Sequence, residues 1–395
     1  MLSSVPQWLE KAHRDPSDIN HALSILAERE RARSRARSST RGVQISLKPR
    51  LPHVPLLSYP KSQLADHYSV SQGCRPENQW SNRYMDIEPY DRTCAKANSR
   101  YFNGNWVREL FGGSWWIATQ APLPGTAHEF FSMVSGLDTL RPPGEPAKAY
   151  KRVRTIVQLT REVEDGRRKA DAYFPSRASD SLVVTPPDAR HDLAQLRVTL
   201  VKSEAIAVAH CTSSTISIST VSKGIAQAPV VVHHLLFHAW PDHGVPNPED
   251  RAGLLHFIRL TDRVNRDISS LTNEPNPDRD PPIMVHCSAG VGRTGAFIAL
   301  TSLLRVNGLL AQPSSSHPGS PSSLTAPLPP SPLGTLPDDI RDDKVAQEID
   351  SLREQRPGMV QRPEQALLVY EVLYTAFLSR DQLKATGKTN GSSRA

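Results

Sequence analysis

The chain has 395 residues, enough for one large domain with extensions or for two to three small ones. It holds no run of about 18 apolar residues that would span a membrane, no glycine period of the collagen kind, and no apolar stretch in Met1–His13 of the kind a secretory signal needs. Four scattered cysteines (Cys74, Cys94, Cys211, Cys287) exclude a disulfide scaffold, and the charge of +7 excludes a uniformly basic surface, since six arginines against Glu30 in Arg29–Arg41 supply +5 of it.

Residues 1–60 read as a basic, partly disordered extension with one helical piece. Ile19, Ala22, Leu23 and Leu26 fall at helical spacing behind Ser17 or Asp18 as cap. Beyond them, arginines at alternate positions from Arg29 to Arg37 point all around a helix and gain little from burial, so a solvated or frayed end is expected. Binding of nucleic acid or acidic lipid, or nuclear import, is the lesser reading of this arm.

Residues 61–380 alternate strand-like and helix-like runs. Strands are predicted at Thr155–Leu159, Leu196–Val201, Val230–Phe237 and Ile283–Val285. Helices are predicted at Ala127–Val134, Arg251–Val264, Gly295–Leu304, Val345–Gln355 and Glu364–Leu378. This interleaving predicts an α/β (α+β) domain with a central mixed sheet flanked by helices. Within it, residues 311–337 hold eight prolines and seven serines and read as a disordered insertion. Ser320 and Ser331, each followed by proline, would suit a proline-directed kinase, although an inert linker is the ordinary reading. Residues 381–395 read as a disordered tail.

The most informative stretch is Ile283–Gly295. An apolar strand ends at Cys287, the small residues Ser288, Ala289, Gly290 and Gly292 make a tight loop with Val291, and a helix with Phe297, Leu300 and Leu304 on one face follows. A strand, a small-residue loop and a helix N-terminus form an anion cradle, because backbone N–H groups converge there and the helix dipole adds positive potential. In such a site a thiol with an ordinary pKa of about 8.5 ionises at neutral pH. Arg293 offers a planar fork to phosphate oxygens, Thr294 can direct its hydroxyl at the sulfur, and His286 orients the loop rather than reacting. A buried structural cysteine is the alternative. A phosphate ester also needs an acid for its leaving oxygen, and Asp242, in the loop Trp240–Pro246, is the candidate, with Trp240 as hinge or lid.

At this point the sequence closely resembles the cysteine-based protein tyrosine phosphatases of the single-domain, non-receptor kind. The motifs that carry the resemblance are His286–Gly295, Trp240–Pro246, Asn82–Ile87, Ala118–Leu123 and Gln361–Gln365. It implies a twisted mixed sheet with helices on both faces. It also implies that Tyr84 walls the phosphotyrosine slot, that Asp86 accepts hydrogen bonds from the substrate backbone, and that Arg83 supports the loop. Glu164 would hold Arg293, Lys169 would contact the acid loop, Gln361 would place the hydrolytic water, and Gln365 would assist it. The sequence departs from the family pattern at Ala121, Phe131, Phe174, Met85 and Arg362-Pro363, none of which is a reacting group.

The expected chemistry is a two-step displacement. Cys287 attacks phosphorus while Asp242 protonates the phenolate, and Asp242 then activates water placed by Gln361. Arg293 and the N–H groups of residues 288–293 hold the equatorial oxygens, so no cofactor or metal is called for. Phosphotyrosine-containing proteins are the expected partners, in the cytoplasm, with no membrane span and with nucleic acid disfavoured. The rival readings are a catalytically silent phosphotyrosine-binding module and a protein whose basic arm is its main function.

Overall fold

Residues 5–41, 61–136, 139–145, 150–187, 193–221, 228–241, 244–269, 271, 277–313 and 328–389 are described by a computed structural model of the chain. Its strands are β1 (Cys94–Ala97), β2 (Arg100–Arg108), β3 (Trp115–Thr119), β4 (Thr155–Gln158), β5 (Val163–Glu164), β6 (Arg167–Arg168), β7 (Ser181–Val184), β8 (Gln195–Ile206), β9 (Cys211–Val221), β10 (Val230–Phe237) and β11 (Ile283–His286). Its helices are α1 (Gln7–Arg14), α2 (Pro16–Thr40), α3 (Lys61–His67), α4 (Pro76–Gln79), α5 (Ala127–Ser135), α6 (Arg251–Arg266), α7 (Gly292–Val306), α8 (Lys344–Gln355) and α9 (Pro363–Thr389).

Nine strands form one mixed sheet in the order β1-β2-β3-β11-β4-β10-β9-β8-β7. The central strands β3, β11, β4 and β10 run parallel, and the flanks are antiparallel. Such central strands are covered on both faces and can be apolar throughout, which is how the run at 283–285 reads. Side-chain alternation divides them: Trp116, Val157, Val285 and Leu235 enter the larger core, with residues of α6, α7, α8 and α9. Ile117, Ile156, Met284 and Val232 enter a second core with α5 on the other face. The parallel centre ends in one row at His286, Thr119 and Gln158, and that row is where the loops bearing the motifs meet.

Three expectations about the flanking segments are corrected. The arm is not a frayed extension: α1 and α2 pack on the domain, with Leu9, Ala12, Ala22 and Leu26 in the larger core. The cap of α2 is Asp15, which accepts from the Ser17 N–H at 2.9 Å. Arg29, Arg33 and Arg37, four residues apart, share one face, on which Arg29 and Arg33 meet α8 and Arg37 meets Tyr90, whereas Arg31 and Arg35 are exposed. Burial is possible because that face meets carboxylates: Arg33 reaches Asp350 at 2.6 Å and Glu354 at 2.7 Å, and Arg29 grips Asp350 at 2.8 Å.

Residues 314–327 of the Pro/Ser insertion lie outside the described residues, but residues 328–337 are packed rather than disordered. Leu336 is buried, Leu333 packs on Tyr68, Val70 and Tyr90, and the carbonyls of Leu333 and Gly334 accept from Arg29. Finally, α9 continues to Thr389, beyond the expected start of the tail at 381. Among the described residues no helix is long and apolar enough to cross a membrane.

Candidate active site

The turn between β11 and α7 is shaped by sterics. Gly290 adopts φ +72°, and a Cβ there would lie 1.9 Å from the Thr119 carbonyl oxygen, so only glycine fits. The Gly290 N–H points at the Cys287 Sγ at 3.3 Å, and α7 starts at Gly292, aiming its N-terminus at the same space. Cys287 is buried, and burial opposes its ionisation. The Thr294 hydroxyl and backbone N–H, the Arg293 charge and the Gly290 N–H outweigh burial and hold the thiol below its ordinary value.

Arg293 is fixed by a bidentate pair with Glu164, at 2.8 Å from each terminal nitrogen, and by the Leu159 carbonyl at 3.0 Å. Burial pushes the Glu164 carboxyl up, but the Arg293 bonds, with those from Arg161 N–H and Thr160, bring it below the usual range. Arg293 also donates to the Pro241 carbonyl at 3.0 Å, tying the Trp240–Pro246 loop to the cradle. Trp240 is buried against Phe237 and donates to the Gly244 carbonyl at 3.2 Å. Asp242, the residue expected to be the acid, lies outside the described residues.

His286 donates from Nδ1 to the Cys287 carbonyl at 3.0 Å, since a carbonyl can only accept. Its Nε2 therefore accepts from the Tyr173 hydroxyl at 2.9 Å. Burial pushes His286 down to about 4, so the ring stays neutral and this tautomer persists. Ser288 Oγ donates to the Lys169 carbonyl at 2.6 Å and accepts from the Tyr84 hydroxyl at 2.7 Å, which stands the Tyr84 ring beside the cradle. Arg83 links that segment to the Ala118–Leu123 loop through the carbonyls of Ala121 and Pro122, and to Asp171 at 2.6 Å. Asp86 is exposed beyond Tyr84.

The second glutamine-bearing segment arrives by close packing. Gly295 admits the Val360 backbone, which a Cβ would meet at 2.4 Å. Val360 is held at φ +53° by its N–H on the Val291 carbonyl and by Arg353 on its own carbonyl. Gln361 emerges exposed from this turn, while Gln365 is buried against Gly292.

A family model for protein-tyrosine phosphatase matches residues 78–307. The chain belongs to the protein-tyrosine phosphatase family. It is 32% identical over 236 residues to human tyrosine-protein phosphatase non-receptor type 14, covering 58% of this chain and 17% of that protein. It is 28% identical over 318 residues to human tyrosine-protein phosphatase non-receptor type 18, covering 79% of this chain and 54% of that protein. Against the putative receptor-type tyrosine-protein phosphatase mosPTP-1 of Aedes aegypti, identity is 29% over 251 residues, 61% of this chain and 16% of that protein. The chain thus spans between about a sixth and about half the length of these curated relatives.

Sequence reasoning missed two residues of this site. Arg356, wholly buried, sits behind the cysteine loop and donates to the carbonyls of Gly290 at 2.8 Å and Ala289 at 3.0 Å and to Asn103 and Asn105. Its only sequence signal is its place five residues before Gln361. Tyr173 was also missed, because a lone tyrosine carries no motif.

Proposed function

We propose that the chain is an active protein tyrosine phosphatase that hydrolyses phosphotyrosine in proteins through a phosphocysteine intermediate on Cys287. The observation that carries this reading is a buried thiol held below its ordinary value at the foot of an N–H cradle, beside an arginine locked by a bidentate carboxylate. In the first step the thiolate attacks phosphorus in line and the P–O bond to the phenol breaks, with Asp242 giving its proton to the leaving oxygen. In the second, Asp242 takes a proton from water positioned by Gln361, with Gln365 beside it, and the S–P bond breaks. Glu164 grips one edge of Arg293, and the other edge serves the phosphate oxygens together with the N–H groups of residues 288–293. Tyr84 makes the slot deep enough to favour phosphotyrosine over phosphoserine, and Asp86 takes the peptide backbone at its mouth. The assignment of Asp242 is supported by its neighbour Pro241, which Arg293 already holds.

A cysteine nucleophile works only while reduced, which together with four free cysteines favours a cytoplasmic setting. Of the candidate kinase sites, Ser331 hydrogen-bonds Glu354 at 2.9 Å, so its phosphorylation would set two anions against each other.

Hydrolysis of an aryl phosphate and of a phosphotyrosine peptide, with and without vanadate, tests the reading. C287S should abolish turnover and keep peptide binding, and D242A should lose orders of magnitude in kcat, most for poor leaving groups. Binding without turnover in the wild type would instead establish the silent module.

A further inference from the structure

The family model begins at residue 78, yet the arm ends on the peptide-recognition segment. Arg41, the residue that closes α2, sends one terminal nitrogen to the Asp86 carbonyl at 2.6 Å and also to the Glu88 carboxylate. Its Nε reaches the same Glu88 oxygen at 3.1 Å. One turn earlier Arg37 donates to the Tyr90 hydroxyl at 2.9 Å, and Thr40 Oγ1 accepts from the Val70 N–H at 3.3 Å. Behind these, Arg29 and Arg33 anchor the helix to Asp350 and Glu354, so the position of Arg41 is set by a rigid rod and not by a loop.

On the reading given above, Asp86 must present its carboxylate at a fixed place to meet the backbone of a substrate peptide. Its peptide plane is held on one side by Arg41, and the following carbonyl, of Ile87, accepts from Asn103 at 2.6 Å. Glu88 is buried, so its pair with Arg41 is shielded from competing water and salt, unlike an ordinary surface pair. We propose that Arg41 is a positioning residue for peptide substrates: the N-terminal arm, through this guanidinium, sets the Asp86 segment in the geometry that binds the backbone around phosphotyrosine. The arm is then part of the specificity apparatus, and it acts on the peptide and not on the phosphoryl group.

The consequence is a split between substrates. A small aryl phosphate fills the slot without touching Asp86, whereas a peptide uses both. In the full chain, R41A should raise KM for a phosphotyrosine peptide about tenfold, the worth of about one hydrogen bond, with kcat within about twofold. Hydrolysis of p-nitrophenyl phosphate should be unchanged within about twofold, and R41K, which keeps one donor, should fall between R41A and wild type on the peptide alone. Equal losses on both substrates, or no loss on either, would overturn the proposal. If R41A does not fold, the same comparison on R41K decides. Failure of the phosphatase reading itself would look different, because the wild type would then turn over neither substrate.

Discussion

Arg33 in the arm and Arg356 behind the cysteine loop are both wholly buried guanidiniums, and they are neutralised in opposite ways. Arg33 faces Asp350, Glu354 and Glu30; burial alone would push it down, and these carboxylates hold it well above its ordinary value. Among the described residues Arg356 has no carboxylate partner: its hydrogen bonds there run to neutral carbonyl oxygens, and burial pushes it down to about 10. The groups that oppose that push are Tyr101, Cys287 and Cys94. Burial raises Tyr101 and takes Cys94 to about 12, so at physiological pH both are neutral, whereas Cys287 is the one of the three held below its ordinary value. One arginine is consumed in holding helices together. The other is placed behind the cysteine loop with no carboxylate among its partners in the described residues.

The sharpest way to break this comparison is R33M. Leaving Asp350 with Arg29 alone and Glu354 with Arg92 and His67 should cost up to about 3 kcal/mol of stability in denaturant melts, while turnover per folded molecule stays near wild type. The acid limb adds a sign test. Burial would push the Glu354 carboxyl up, but Arg33 foremost, with His67 and Arg92, holds it far below its unfolded value, so the stability it contributes is present above about pH 4.3 and is lost as pH falls below that. The gap between wild type and R33M should therefore close as the pH drops below about 4. A gap that does not change with pH would mean that packing, not charge, is what Arg33 supplies.

R356M should act on the sulfur instead. Removing the cation should raise the Cys287 thiol, seen as alkylation by iodoacetamide near pH 6 that is slower by up to about tenfold, with a similar fall in kcat/KM. If R33M slowed alkylation as much, the two arginines would not differ in the way described. The smallest expected effect is that of Y173F. It removes the donor to His286 and should cost about 1 kcal/mol in stability with only a modest fall in kcat, because the Nδ1 bond to the Cys287 carbonyl survives. A collapse of activity in Y173F would show that the phenol does more than fix the ring.

Much of the centre was legible locally. The strand at Val230–Phe237 was predicted to the residue, and that at Ile283–Val285 falls one residue short. Ile283–Val285 is a continuous apolar run, as suits the doubly covered middle of the sheet, whereas Val230–Phe237 carries His233 and His234 between its apolar ends. The neighbouring β9 was missed, since its exposed and half-exposed faces are serine and threonine and only Ile216 and Ile218 carry the apolar signal. The pairing of Glu164 with Arg293 was legible only through the family resemblance. The turn at Gly290, by contrast, rests on residue types adjacent in the chain.

What the sequence by itself determined is the reactive element: strand, small-residue turn and helix start lie within thirteen consecutive residues, Ile283–Gly295, and cradle geometry depends on local backbone sterics and the helix dipole. What only the tertiary structure decided is which charges that element and the arm would meet. Arg33 finds its carboxylates 317 and 321 residues away, and Arg356 finds Gly290 and Asn105 at separations of 66 and 251. A pattern of alternate arginines looks solvated because burying a guanidinium is costly. That cost is offset only by partners whose positions the fold supplies, and no window of sequence contains them.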